Sequence, residues 1–144
     1  MSTLIVHTDG GSRGNPGPAA VGVVMLLEGN SIREEGLYLG DNKTNNDAEY
    51  QAVLHALKYL PEVLQSHPVS KIEWKLDSML VIQQLNHKWK IKEPRMERFA
   101  AEIWTLLKAL PVPSVFSYVP RAENAAADAV VNKTLDLAAA QLHS

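Results

Sequence analysis

From Thr8 to Pro18 the chain reads TDGGSRGNPGP, a glycine-rich stretch set between two apolar runs, Leu4–Thr8 and Ala19–Leu27. The second run is rich in valine, and Glu28-Gly29-Asn30 then leads into a third candidate strand, Ser31–Leu39. Links this short impose antiparallel pairing, because a parallel return needs a crossover of a dozen or more residues. The chain up to Leu39 is therefore expected to form a three-stranded meander on which everything downstream must pack.

Beyond Leu39 the periodicity changes to that of helices and crossovers. Ala52, Val53, Ala56, Leu57 and Leu60 recur at helical spacing, which predicts a core-facing helix over about Asp47–Leu60, ended by Pro61. His55 falls off that stripe and is expected to be exposed. Lys71–Leu76 alternates, with Ile72, Trp74 and Leu76 on one face, and stops at Asp77. A short helix to about Leu85 comes next, and Pro94 suits the first turn of another that runs to about Leu110, where Pro111 and Pro113 break it. Ser114–Val119 makes a fifth strand, and an alanine-rich helix, Ala125–Leu142, closes the chain. The order βββαβααβα implies an α/β fold: a five-stranded mixed sheet, three strands antiparallel and two brought in parallel, flanked by helices. With 46% apolar residues among 144 and no linker or repeat, one domain spanning 1–144 is expected.

Composition narrows the chemistry. The absence of cysteine excludes disulfides and thiolate metal sites. No apolar run reaches the length of a membrane span, and the N-terminus lacks the basic segment and cleavage site of a secretory signal, so a cytoplasmic protein is expected. A net charge of −2 does not suggest a nucleic-acid binder. One segment departs from that balance: HKWKIKEPRMER, His87–Arg98, carries five Lys or Arg against two Glu, with Trp89 among them. Any polyanion site must be local. The plainer reading of this segment is a solvated helix face with its loop.

Four acids stand out by position. Asp9 and Asp77 end candidate strands, and ligands of open α/β sheets gather outside strand ends. Glu49 opens the apolar stripe of the first helix, and Asp128 does the same for the last helix, ahead of Val131 and Leu135. Each has a bland alternative. Asn46 and Glu49 fit a capping box, Asp77 can cap the next helix, Asp128 can satisfy a helix dipole, and Asp9 can hold an Asx turn. Taken together, all four lie at element ends that one fold can bring to a point. There they would repel one another unless divalent cations neutralised them, and an all-oxygen set suits Mg²⁺ or Mn²⁺.

Four blocks, TDGGSRGNPGP, TNNDAEYQAVLHAL, LDSMLVIQQLN and VPRAENAAADAVVN, resemble ribonuclease H of type 1 in order and spacing. The resemblance covers essentially the whole chain and is nearest to the compact form of archaea and many bacteria, without the N-terminal hybrid-binding domain some relatives carry. It implies the ribonuclease H-like fold and an endonuclease that cuts the RNA strand of RNA–DNA hybrids. The products would carry 5′-phosphate and 3′-hydroxyl ends. Asp9, Glu49, Asp77 and Asp128 match the family's catalytic carboxylates, which hold two Mg²⁺ about 4 Å apart, with Mn²⁺ as a substitute. One ion activates the attacking water and the other stabilises the leaving 3′ oxygen. Substrate binding is implied for Gly10, for Gly11, Ser12 and Gly14, which read the RNA 2′-hydroxyl with help from the neighbourhood of Asn15, for Asn45 and Asn46 in the minor groove, and for Ser78 and Met79. Capping is the alternative role for the two asparagines, and core packing for Met79.

Two departures from the family pattern bear on binding. The chain passes from Trp89 to Pro94 without the basic helical protrusion of some relatives, which leaves Lys88, Lys90 and Lys92 to substitute in part, with Trp89 as a supporting residue. The loop before the last helix is shortened to VPRAEN, so Arg121 stands nearest to where longer relatives use a histidine; an arginine binds phosphate but is no base near neutral pH. Asn124 is expected to cap the last helix and to order the site. The resemblance implies a monomer with RNA–DNA hybrid as its partner, no membrane contact and no obligate protein partner. Two alternatives remain at this point: the same metal chemistry on double-stranded RNA, and a non-catalytic hybrid-binding module.

Overall fold

A computed structural model describes residues 2–142. Strands β1 (Ser2–Ser12), β2 (Gly17–Leu27) and β3 (Asn30–Lys43) form the expected meander. Helix α1 (Asn45–Ser66) comes next, then β4 (Val69–Leu76), α2 (Met79–Leu85), α3 (Pro94–Lys108) and β5 (Ser114–Tyr118). A 3₁₀ turn, Arg121–Asn124, leads into α4 (Ala125–Leu142). The sheet runs β3-β2-β1-β4-β5, antiparallel across β3, β2 and β1 and parallel across β1, β4 and β5. Glu28 and Gly29, both at positive φ (52° and 80°), make the tight turn between β2 and β3. No helix among the described residues is long and apolar enough to cross a membrane.

The main core lies on one face of the sheet. There Leu4, Val6, Val23 and Met25 meet Tyr50, Val53 and Leu60 of α1, Met96 and Ile103 of α3, and the buried Trp74. On the other face α4 rests Val131 and Leu135 against Ala20 of β2. Two glycines let both helices close on the sheet near Asp9. A Cβ at Gly10 would lie 2.2 Å from the Ala48 carbonyl carbon of α1, and one at Gly22, which pairs with Asp9, would lie 2.4 Å from the Ala127 oxygen of α4.

Three local expectations are corrected. Strand β1 does not stop at Asp9: pairing with β2 continues through Gly10, Gly11 and Ser12, whereas pairing with β4 ends at His7↔Lys75. Asp9 and Asp77 thus both stand just past the end of the parallel pair, in the crevice between β1 and β4. Helix α1 passes through Pro61 and stops at His67, whose extended backbone precedes Pro68. Pro61 gives up one backbone hydrogen bond, and burial of Val63 one half-turn later compensates. His55 is buried: its ring packs edge-on against Tyr59 at 5.2 Å and lies near Glu35 of β3.

Candidate active site

Glu49 lies one turn into α1, whose backbone approaches β1 closely because Gly10 has no Cβ, and its carboxylate reaches the Gly10 amide. Its Oε1 accepts a hydrogen bond from Gly10 N at 3.1 Å, while Oε2 is buried without a hydrogen-bond partner among the described residues. Asp9 is only 6% exposed and Glu49 8%. One carboxylate oxygen from each of Asp9, Glu49 and Asp77 lies within 4.8 Å of the others. Asp128, half-buried in the first turn of α4, stands beside Asp9 but outside that trio.

Electrostatics match the geometry. Burial pushes the Asp9 carboxyl from 3.8 up to about 7, with Asp77 and then Asp128 adding repulsion. Burial drives Glu49 well above the carboxylate range, and Asp9 and Asp77 drive it further against the Gly10 N–H. None of the four acids forms a salt bridge among the described residues. Oxygen donors only, mutual repulsion and an orphaned Glu49 oxygen together fit a hard divalent cation.

The acids open on a cleft of about 360 Å³. Gly10, Gly11, Ser12, Asn45, Asn46, Ser78 and Arg121 share its lining, so most of the residues implied in substrate binding converge there. Gly14 and Asn15 lie beyond the lining but are tied to it: Gly14 O accepts from Ser12 Oγ, while Ser12 N donates to Asn45 Oδ1 and Asn45 N to Asn15 Oδ1, the last two at 2.9 Å each. Met79 is 39% exposed, which removes the core alternative. Trp89 does not reach the cleft. With His87, Lys88, Lys90 and Trp104 it lines a separate hollow of about 660 Å³. Lys90 also lines a smaller depression that shares Asn46 with the acid cleft.

Capping roles fall elsewhere than the sequence suggested. Thr44, not Asn46, caps α1 in a box with Asp47, and Ser78, not Asp77, caps α2. Asn45 and Asn46, as well as Asp77, are thereby released from capping. Asn124 is no cap either. Fully buried, it donates from Nδ2 to Thr8 O at 2.9 Å, and its Oδ1 lies 2.8 Å from His7 Nδ1, which pins the start of α4 to β1 beside Asp9. Sequence reasoning passed over Asn132, whose Nδ2 lies 3.3 Å from Asp128 Oδ2; its signal was the i, i+4 spacing from Asp128.

Residues 7–134 match the family model described as "Reverse transcriptase-like". Ribonuclease HI of Halobacterium salinarum is 41% identical over 131 residues, which is 90% of this chain and 63% of that protein. The chain spans a smaller share, 36%, of a bifunctional protein of Mycobacterium tuberculosis that is 31% identical over 137 residues, 94% of this chain. Ribonuclease H of Thermosynechococcus vestitus is 33% identical over 120 residues, 76% of this chain and 71% of that one. Among solved structures, LC11-RNase H1, isolated from compost and crystallised with an RNA/DNA hybrid, superposes with a TM-score of 0.88. That match is 39% identical and covers 94% of this chain and 98% of the other. On the matched model, the aligned sequences and the shared architecture, this chain belongs to the type 1 ribonuclease H family.

Proposed function

We propose that the chain is a metal-dependent endoribonuclease that hydrolyses the RNA strand of RNA–DNA hybrids, leaving 5′-phosphate and 3′-hydroxyl ends. The observation that carries this reading is the clustered trio of buried Asp9, buried Glu49 and half-buried Asp77, opening on a cleft walled by backbone groups and asparagine amides. Asp9, Glu49, Asp77 and Asp128 would hold Mg²⁺, with Mn²⁺ as a substitute. When bound, these cations supply an activated water at neutral pH and stabilise charge on the departing 3′ oxygen.

The remaining work falls to the chain itself. Because Ser12 N–H occupies the Asn45 carbonyl, Asn45 offers its NH₂ to the minor groove, whose edges carry acceptors on every base pair. Ser12 Oγ lies against the Gly14 and Lys43 carbonyls, gives its one proton to that pair, and keeps acceptor lone pairs that suit an RNA 2′-hydroxyl. A DNA strand offers no such donor at that place. Arg121, exposed at the lip, presents a guanidinium fork that suits phosphate oxygens. No histidine lines the cleft among the described residues, so proton transfer falls to water and the carboxylates.

Incubation with labelled RNA–DNA hybrid, double-stranded RNA and double-stranded DNA, with Mg²⁺ or with EDTA, tests the proposal. Metal-dependent cutting of the hybrid's RNA strand alone is expected. A hybrid left intact with both Mg²⁺ and Mn²⁺ present overturns it, and equal cutting of double-stranded RNA overturns the reading of the 2′-hydroxyl wall.

A further inference from the structure

Asp128 is held differently from the other three acids. It projects from the first turn of a helix into a half-exposed position, where several staggered side-chain rotamers are open to it. Only some of these turn a carboxylate oxygen toward Asp9. The side chain four residues on limits that freedom. Asn132 Nδ2 donates to Asp128 Oδ2 at 3.3 Å and to the Asp128 carbonyl at 3.1 Å. Asn132 Oδ1 in turn accepts from Arg13 Nη2 at 3.3 Å, and the same nitrogen lies 3.4 Å from the Asn132 carbonyl and 2.7 Å from Asp136 Oδ1.

These contacts leave the Asn132 amide one orientation. Reversed, its NH₂ would face the guanidinium and its oxygen would face the Asp128 carboxylate, two repulsive contacts in place of two attractive ones. Arg13 belongs to the glycine-rich stretch whose Ser12 and Asn15 are tied to Asn45. One chain of polar contacts therefore runs from the substrate wall of the cleft to its fourth carboxylate.

We propose that Asn132, locked in orientation by Arg13, is the positioning residue that aims Asp128 at the metal site and couples it to the glycine-rich loop. The proposal rests on the reading of the four acids as a cation site. A bland stabilising role is disfavoured by exposure: the Arg13 and Asp136 side chains are 44% and 70% exposed, where ion pairs add little to stability. Partners that orient a metal-binding carboxylate, by contrast, typically change metal affinity 10–100-fold when lost.

The test is a calorimetric titration of Mn²⁺ into the intact protein without substrate, on wild type, Asn132→Leu, Arg13→Ala and the double variant. Asn132→Leu is expected to weaken Mn²⁺ binding about tenfold, the low end of that range because the contact is exposed. Arg13→Ala should weaken it less, and the double variant no more than Asn132→Leu alone, since Arg13 acts through Asn132. Asn132→Gln, whose longer amide can still reach Asp128 from an exposed helix face, should recover part of the affinity. Thermal midpoints in EDTA should stay together, and on hybrid substrate the kcat of Asn132→Leu should fall while KM holds, with recovery at higher Mg²⁺. Equal Mn²⁺ affinity in wild type and Asn132→Leu, additive losses in the double variant, or no Mn²⁺ binding by wild type would each overturn the proposal. Failure of the hydrolase reading is seen separately, as wild type that binds Mn²⁺ but leaves hybrid uncut.

Discussion

Asp47 and Glu49 stand two residues apart at the start of α1 and are buried to nearly the same degree, 3% and 8% exposed, yet their charges are handled in opposite ways. Asp47 accepts from Thr44 N at 3.0 Å and Thr44 Oγ1 at 2.9 Å, and takes Arg95 in a forked pair at 2.7 and 3.1 Å. Burial works to raise its pKa, but the Thr44 and Arg95 contacts outweigh it and hold the carboxyl below its usual value. Glu49 receives one backbone N–H and otherwise faces other acids, and it is driven upward. Burial alone therefore does not mark a functional carboxylate. What separates the structural acid from the acid of the proposed metal site is whether the protein itself supplies the compensating charge.

That contrast can be broken at either end. The largest effect expected is on cleavage by Glu49→Gln, which should fall by more than the roughly hundredfold that loss of an outer partner costs a metal site. In EDTA the same variant should be the more stable protein, with a thermal midpoint up by roughly 3 °C for each 1 kcal/mol of relieved burial. A destabilised Glu49→Gln would mean that the acid is structural. Asp47→Ala should do the reverse. It removes the Asp47 half of the capping box and a forked ion pair, costing about 2 kcal/mol by urea unfolding, while Mn²⁺ affinity is retained.

Acid titration sharpens the comparison, because the two kinds of acid carry opposite signs. Asp9 moves from 3.8 to about 7 on folding, so the folded state binds its proton more tightly and stability is lost as pH rises through about 7. Asp9→Asn should therefore be more stable than wild type at pH 8 in EDTA, with the difference fading toward pH 4. Asp47, held low, contributes stability above its unfolded value, which is lost as pH falls through its folded one. The penalty of Asp47→Asn should be full at pH 7 and shrink only below about pH 4. Parallel urea curves across that range would show both trends, and two differences of the same sign would refute the distinction. The smallest effect is the gain from metal itself. Mg²⁺ at a concentration equal to its dissociation constant adds only about 0.4 kcal/mol, or roughly 1 °C, to wild type and nothing to Glu49→Gln.

How much of this could be read in the sequence depended on how local each signal was. The meander and the crossover strands were legible, since strand alternation and short links fix topology before any side chain is placed, and of the four acids singled out Asp9, Glu49 and Asp77 come together. The start of α1 was misread because TNNDAE holds two overlapping boxes. Asn46 with Glu49 fits the pattern, but Thr44 with Asp47 wins, since Arg95 of the distant α3 completes the Asp47 cage. His55 was misplaced for a similar reason, as it lies near Glu35 of β3, a strand that only the tertiary fold brings beside α1. Asn124 resembled a cap in sequence, and only the fold brings His7 and the Thr8 carbonyl to its side chain. Residues whose partners lie a hundred positions away leave no local pattern.

The central claim is that Asp9, Glu49 and Asp77 hold a divalent cation that the protein's own side chains do not replace. Anomalous diffraction from crystals soaked in Mn²⁺ tests it most directly. The account predicts a peak within bonding distance of oxygens from all three carboxylates, absent in Glu49→Gln under the same soak. Crystals that show Mn²⁺ elsewhere on the surface but no peak between these acids would contradict it.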